Sequence, residues 1–346
     1  MSKRRSLVLS LALAAVLIVP LVLSACGGGS PSGEMPTEPQ TYSYNAYEPN
    51  EFVYEYGWQV WYAEQLNERT GGLMNFDVRP AGQFGYPLDK FLPVTGEGLV
   101  DISNTMDGNE SGNMPEFVMG SQPMLFDDYA QFEAFRVQME AELKEYLLEK
   151  WNVVLIASAP MCDQSLMMAE PVRTLEDLKG KKIRVLTEAE SQFFKALGAV
   201  PVTVMFPELY SSFERGVIDG MTFYHMGLVD MKFYEVTKYV PIRTVRINWD
   251  LVVVNKDLWD SFPVEWQNTI NDLHDEYLEY ALADLKTRYD GAKKIAEENG
   301  VDFTPLPASE MAKARAIADP IWESYAKKYG DISIRALKIA RDVTGN

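Results

Sequence analysis

Positive charge, histidine and cysteine are all scarce in this chain of 346 residues. It carries 32 Lys+Arg against 50 Asp+Glu, a net charge of -18, with two histidines and two cysteines. The acid excess argues against a nucleic-acid partner, since neutralising phosphates takes clustered Lys and Arg. With only His225 and His274 present, a His-rich catalytic zinc site is not expected either. Also missing are a phosphate loop ending in Gly-Lys-Ser/Thr, a G-x-G-x-x-G after a strand, an H-E-x-x-H and a G-x-S-x-G. These absences leave no cofactor or metal to expect and point away from catalysis. What is present is ordinary for a globular protein: 47% hydrophobic and 24% charged residues exclude whole-chain disorder, collagen and coiled coil. The length predicts about two domains.

The N-terminus reads as an address. Lys3, Arg4 and Arg5 precede an apolar run over 7–23 that ends in Leu23-Ser24-Ala25-Cys26. A transmembrane anchor is the competing reading, because the run just reaches the length of a short span. Small residues leading into a cysteine favour export. The site resembles the lipobox of bacterial lipoproteins, which implies cleavage before Cys26 and lipid on its thiol. Residues 1–25 are then a signal peptide, and its loss strips three positive charges. The stretch 26–41, rich in Gly, Pro, Ser and Glu, reads as a flexible tether. Cys162 is left as the other cysteine, so no intramolecular disulfide is expected. It reads as a small buried hydrophobe, since Met161 and Asp163 beside it offer no obvious base.

Beyond the tether, helix and strand patterns alternate. Helices are predicted over 52–69, 88–95, 129–147, 188–197 and 208–215. Strands are predicted over 75–79, 99–104, 153–157, 182–186, 200–205 and 218–223. This alternation predicts an α/β fold of two lobes with mostly parallel sheets covered by helices. One helical pattern runs from 264 to 299 and is long enough to brace both lobes. Two shorter helices, 309–328 and 332–343, close the chain. The predicted divisions are lobe I over 42–160 with returning segments, lobe II mainly over 161–262, the bridging helix over 263–300, and C-terminal helices over 301–346. His274, among Asp272, Asp275 and Glu276, reads as solvated, and Glu140-Ala141-Glu142 as a solvated helix face.

The centre of the chain carries a family likeness. Leu175-Glu176-Asp177-Leu178-Lys179-Gly180-Lys181-Lys182-Ile183-Arg184-Val185 is followed by Ala196-Leu197-Gly198-Ala199 and, later, by Gly216-Val217-Ile218-Asp219-Gly220. Pro80-Ala81-Gly82-Gln83-Phe84-Gly85 and Pro123-Met124-Leu125-Phe126-Asp127-Asp128 agree, in the same order. Over 42–340 the sequence resembles the solute-binding proteins of tripartite ATP-independent periplasmic (TRAP) transporters, of the C4-dicarboxylate-binding type. The resemblance implies a periplasmic-binding-protein-like fold and a TRAP membrane permease as partner. It also implies a small organic-acid ligand whose carboxylate is clasped by Arg184. A guanidinium suits that task, being planar, permanently charged and bidentate toward carboxylate. The bland alternative is a surface arginine on an edge strand.

The pattern departs from the family at two places. Phe223 stands where many carboxylate binders carry a ligand-contacting Asn, and Gln164 falls near a second basic position of sugar-acid binders. With Phe206, Tyr224, His225 and Trp249 also near Arg184 in the pattern, the expected ligand is a monocarboxylate with an apolar or aromatic body. Trp249 is equally well a core residue, and a structural His225 is favoured over a ligand contact. Glu188 and Glu190 read as helix-start residues; either one facing the cleft would suit a ligand with an amine. A hydrolase using Cys162 and His225 is the rival class, and a sensory ligand-binding subunit a third. The expected location is outside the cytoplasm, lipid-anchored, in a periplasm or on the outer face of the cytoplasmic membrane.

Overall fold

The computed structural model describes residues 33–48, 56–204 and 208–345. The predicted signal peptide, Cys26, the first part of the predicted tether and Phe206 lie outside these described residues. Within the stretch predicted as tether, structure begins before residue 41. Strand β1 (Gln40–Asn45) already begins at Gln40, and Gly33 lies so close to the Ser261 carbonyl that an added Cβ would come within 1.8 Å of it.

After β1 come α1 (Tyr56–Arg69), β2 (Met74–Arg79), α2 (Phe91–Gly96) and β3 (Ile102–Met106). Next are α3 (Tyr129–Trp151), β4 (Val153–Pro160), β5 (Gln164–Met168), β6 (Lys182–Arg184) and α4 (Glu188–Ala196). They are followed by β7 (Val200–Val202), α5 (Leu209–Glu214), β8 (Gly220–Tyr224), α6 (Gly227–Asp230), β9 (Tyr239–Arg246) and β10 (Trp249–Asn255). The chain closes with α7 (Lys256–Ser261), α8 (Val264–Glu298), α9 (Ala308–Tyr329) and α10 (Asp331–Thr344). Local signals set several boundaries. Asp128 caps α3 by accepting from the Gln131 N–H, and Asn152 ends that helix in the left-handed region at φ 53°. Thr187 and Glu190 form a reciprocal capping box at the start of α4.

The α/β class with two lobes holds, and each lobe is built on one five-stranded sheet. The orders are β2-β1-β3-β10-β4 and β7-β6-β8-β5-β9. The sheets are mixed rather than mostly parallel. β10 runs antiparallel to β3 and β4, and β5 antiparallel to β8 and β9. The reason is the way the chain changes lobes. β4 leaves the first sheet for β5 through Met161, Cys162 and Asp163, and β9 returns to β10 through Ile247 and Asn248, so in each sheet an outgoing strand lies beside a returning one and pairs with it antiparallel. Because β10 joins the first sheet, residues 249–255 sit with the 42–160 segment rather than with 161–262.

Helix α8, at 1.5 Å per residue, is about 50 Å long. Trp266, Ile270, Leu273 and Tyr277 pack into the first lobe's core beside Trp58, Tyr62 and Val252. Ala296, near the other end, packs with Met221 and Phe223 of the second sheet. The apolar residues at three- and four-residue spacing therefore do serve both lobes, as a brace should.

Candidate ligand-binding site

Arg184 is the last residue of β6, a strand three residues long. Its neighbour Ile183 is buried in the core, so the alternation of the strand turns the guanidinium to the other face. The carboxyl ends of strands in open α/β sheets are where ligands gather, and the Thr187 capping box folds the chain into α4 directly afterwards. The side chain is 4% exposed. Its Nε donates to the Val204 carbonyl at 3.4 Å and its Nη1 to the Thr222 carbonyl at 3.2 Å. No carboxylate among the described residues pairs with it. Burial, helped by the nearby Arg246 charge and opposed by Glu190, pulls the guanidinium down to about 10. Two of its five donors are thus spent on neutral carbonyls, in a place where an unpaired cation is costly.

A second buried guanidinium nearby is treated differently. Arg246, at the end of β9, donates from Nε to Glu190 at 3.1 Å, with side-chain exposures of 1% and 0%. Its Nη1 donates to the Asn248 carboxamide oxygen. Glu190 also accepts from the Leu186 N–H at 2.9 Å and the Thr187 N–H at 3.0 Å. Burial pushes the Glu190 carboxyl up, but Arg246 and these donors outweigh it and hold the group below its ordinary range. Glu190 is the helix-start residue that its sequence context suggests and also one half of a buried ion pair. Arg246 drew no notice in the sequence. The signal was available, as an arginine flanked by the aliphatic residues Val245 and Ile247.

The remaining candidates divide between the neighbourhood of Arg184 and the core. Phe223 lies beside Arg184, whose Cζ is 5.8 Å from the ring centroid, and meets Tyr224 at 4.5 Å in a tilted contact. Gly227 leaves room for that ring, since a Cβ there would fall 2.6 Å from it. Gln164, 5% exposed, sits on β5 with Tyr224 and Arg246 as its register partners. His225 is fully buried, stacked on Tyr289 of α8 at 4.0 Å, with its Nδ1 3.2 Å from the Ser165 hydroxyl. Burial, with Arg243 and Lys293 nearby, lowers it to about 3, so the imidazole is neutral. Trp249 is fully buried and meets Phe132 and Phe135 edge-on, each at 6.3 Å, within the main hydrophobic cluster. Cys162 is buried, packed with Ala159 and Met226. His274 and Glu140 are not solvated as expected: each side chain is only 13% exposed, and they pair at 3.3 Å. Among the described residues, no group of three or more His, Cys, Asp or Glu is placed to hold a metal ion, and no helix is long and apolar enough to cross a membrane.

Comparisons with known proteins agree with this fold. The family model "bacterial extracellular solute-binding protein, family 7" (DctP) matches residues 47–328. The C4-dicarboxylate-binding periplasmic protein DctP of Rhodobacter capsulatus is 28% identical over 287 residues, covering 80% of this chain and 84% of that protein. The extracytoplasmic solute receptor DctP7 of Bordetella pertussis, which binds pyroglutamic acid, superposes with a TM-score of 0.77 at 23% identity. That match covers 87% of this chain and 99% of that one. A marine metagenome TRAP solute-binding protein specific for aromatic acid ligands, crystallised with 3-hydroxybenzoate, gives a TM-score of 0.76 at 19% identity, covering 89% and 99%. The chain thus belongs to the DctP family of bacterial extracellular solute-binding proteins, which bind solutes rather than act as enzymes.

Proposed function

We propose that this receptor captures a small monocarboxylate with an apolar or aromatic body and delivers it to a TRAP permease. Arg184 clasps the carboxylate, while Phe223 and Tyr224 flank the body of the ligand. The observation that carries this reading is the buried Arg184 guanidinium, which has no carboxylate partner among the described residues. A carboxylate arriving from solution supplies the missing counterion and accepts in the bidentate geometry that arginine favours. Phe223 gives that end of the site an apolar wall where a polar side chain would suit a second carboxylate. The pyroglutamate and 3-hydroxybenzoate ligands of the two structural neighbours are ring-bearing monocarboxylates, which supports the same class here. Closure of the lobes about the ligand follows if contacts from both sides favour the shut state. Cys26 tethers the receptor to a membrane through lipid.

A thermal-shift screen of mono- and dicarboxylates tests the ligand class, because a ligand that binds only the native state raises its apparent stability. Ring-bearing monocarboxylates should give the largest shifts. Shifts produced only by dicarboxylates, or only by uncharged sugars, would contradict the proposal. Mass spectrometry of the protein recovered from membranes tests the anchor through lipid on Cys26.

A further inference from the structure

We propose that Glu190 sets the charge of the ligand this site accepts: by pairing with Arg246 it silences one of two buried guanidiniums and leaves a single anchor, Arg184. The inference rests on the reading of Arg184 as the carboxylate clasp and goes beyond it, since Glu190 touches no ligand in this account.

The two arginines are close enough in charge terms for Arg246 to depress Arg184, and Glu190 acts on both. Only Arg246 is neutralised by contact, at 3.1 Å and with both side chains out of solvent. The acid is locked in place as well. Backbone N–H groups of Leu186 and Thr187 point at one carboxylate oxygen while Arg246 takes the other. Its position is therefore fixed by the first turn of α4, and it cannot swing to Arg184 without losing the capping box. Arg246 in turn spends Nη1 on Asn248 and keeps its second terminal nitrogen without a described hydrogen bond. With Glu190 neutral, that guanidinium becomes a second buried cation in want of a counterion, and a ligand with two carboxylates can serve both arginines. Asp107 also lies in the field of Arg246. Its oxygens are taken by the Ser121 hydroxyl and by the Gly108 and Trp249 N–H groups, so it is not free to pair with either guanidinium.

The experiment compares matched acids that differ by one carboxylate, butyrate with succinate and benzoate with isophthalate, by titration calorimetry at pH 8. There Asp107, raised by burial to about 6, stays ionised throughout. In Glu190→Gln the preference for the monoacid over its diacid should fall by roughly 10- to 100-fold, the worth of one charge-assisted contact. Adding Arg246→Gln to that variant should restore the preference of the unsubstituted protein. General damage to the fold weakens both acids alike and does not invert their ratio. The double variant adds no unpaired charge to the one Arg184 already carries, so it reports even where Glu190→Gln alone does not fold; loss of monoacid binding there would place Arg246 on the ligand and overturn the inference. An unchanged ratio in Glu190→Gln with monoacid binding intact overturns it too, without touching the role of Arg184. Failure of the unsubstituted protein to bind any of these monoacids overturns the reading of the site itself.

Discussion

The two lobes handle buried charge in different ways. In the first lobe the buried acids Asp107, Glu110 and Asp250 are surrounded by neutral donors, and the buried Arg136 is paired with Glu133 and Glu140. Asp250 accepts from the Asn104 carboxamide at 2.6 Å and the Tyr277 hydroxyl at 2.5 Å. Glu110 accepts from Thr105, Asn113 and the Leu92 N–H. Burial raises these carboxyls to about 6 for Asp107 and about 7 for Glu110 and Asp250. The second lobe hides two guanidiniums, of which Glu190 meets one. A protein with a net charge of -18 offers an anion no general attraction. The contrast teaches that, among the described residues, buried guanidiniums are paired with carboxylates at Arg136 and Arg246 and left without one at Arg184, inside the second lobe, where low dielectric makes the charge count.

Within the second lobe the sharpest contrast is between Arg184 and Arg246, at 4% and 2% exposure. If one serves ligand and the other the fold, truncation separates them. Arg246→Ala strands a buried Glu190 and should cost about 3–5 kcal/mol of stability in denaturant melts. Arg184→Ala removes a buried cation with no carboxylate partner and should leave stability level or raise it. Equal losses from the two substitutions would erase the distinction.

The first lobe's acids make a second, smaller test. Their folded-state values are raised, so the native protein keeps protons that the unfolded chain has already released. The stability they contribute is full below about pH 4 and is lost as pH rises toward 7. For Asp250 the loss is on the order of a few kcal/mol at most. Thermal melts at pH 5 and pH 8 should show a smaller difference in Asp250→Asn than in the unsubstituted protein. An unaltered difference would mean that Asp250 titrates normally. Smaller again, Tyr277→Phe takes one donor from Asp250 and should cost about 1–3 kcal/mol. The least effect is expected at Arg69 and Glu276, which join α1 to α8 at 2.7 Å with side chains 33% and 46% exposed. Breaking that pair should cost about 0–1 kcal/mol.

Much of the scaffold was legible because it follows periodic rules. The predicted 264–299 helix ends one residue from the observed Val264–Glu298, and the helices after it are within two residues. What escaped was antiparallel structure around the lobe crossings. Trp249–Asn255 reads as a continuous apolar run broken by Asp250, and nothing local says that this acid is satisfied by Tyr277 of α8 and by Asn104 of β3. The same limit hid half of the site. Arg184 stood out through its motif and its place on a strand. Glu190 was visible only as a cap, because its partner Arg246 lies 56 residues away and the pairing exists only once β9 is laid beside β5. Trp249 shows the reverse case, an aromatic residue read as a possible cleft wall whose ring the fold places against Phe132 and Phe135.

The central claim is that Arg184 alone supplies the uncompensated positive charge for the ligand. Titration calorimetry of Arg184→Ala against the best monocarboxylate from the screen tests it most directly. The account predicts a loss of about 3–5 kcal/mol, roughly two to three orders of magnitude in Kd, in a protein that melts no earlier than the original. An unchanged Kd in that folded variant would contradict it.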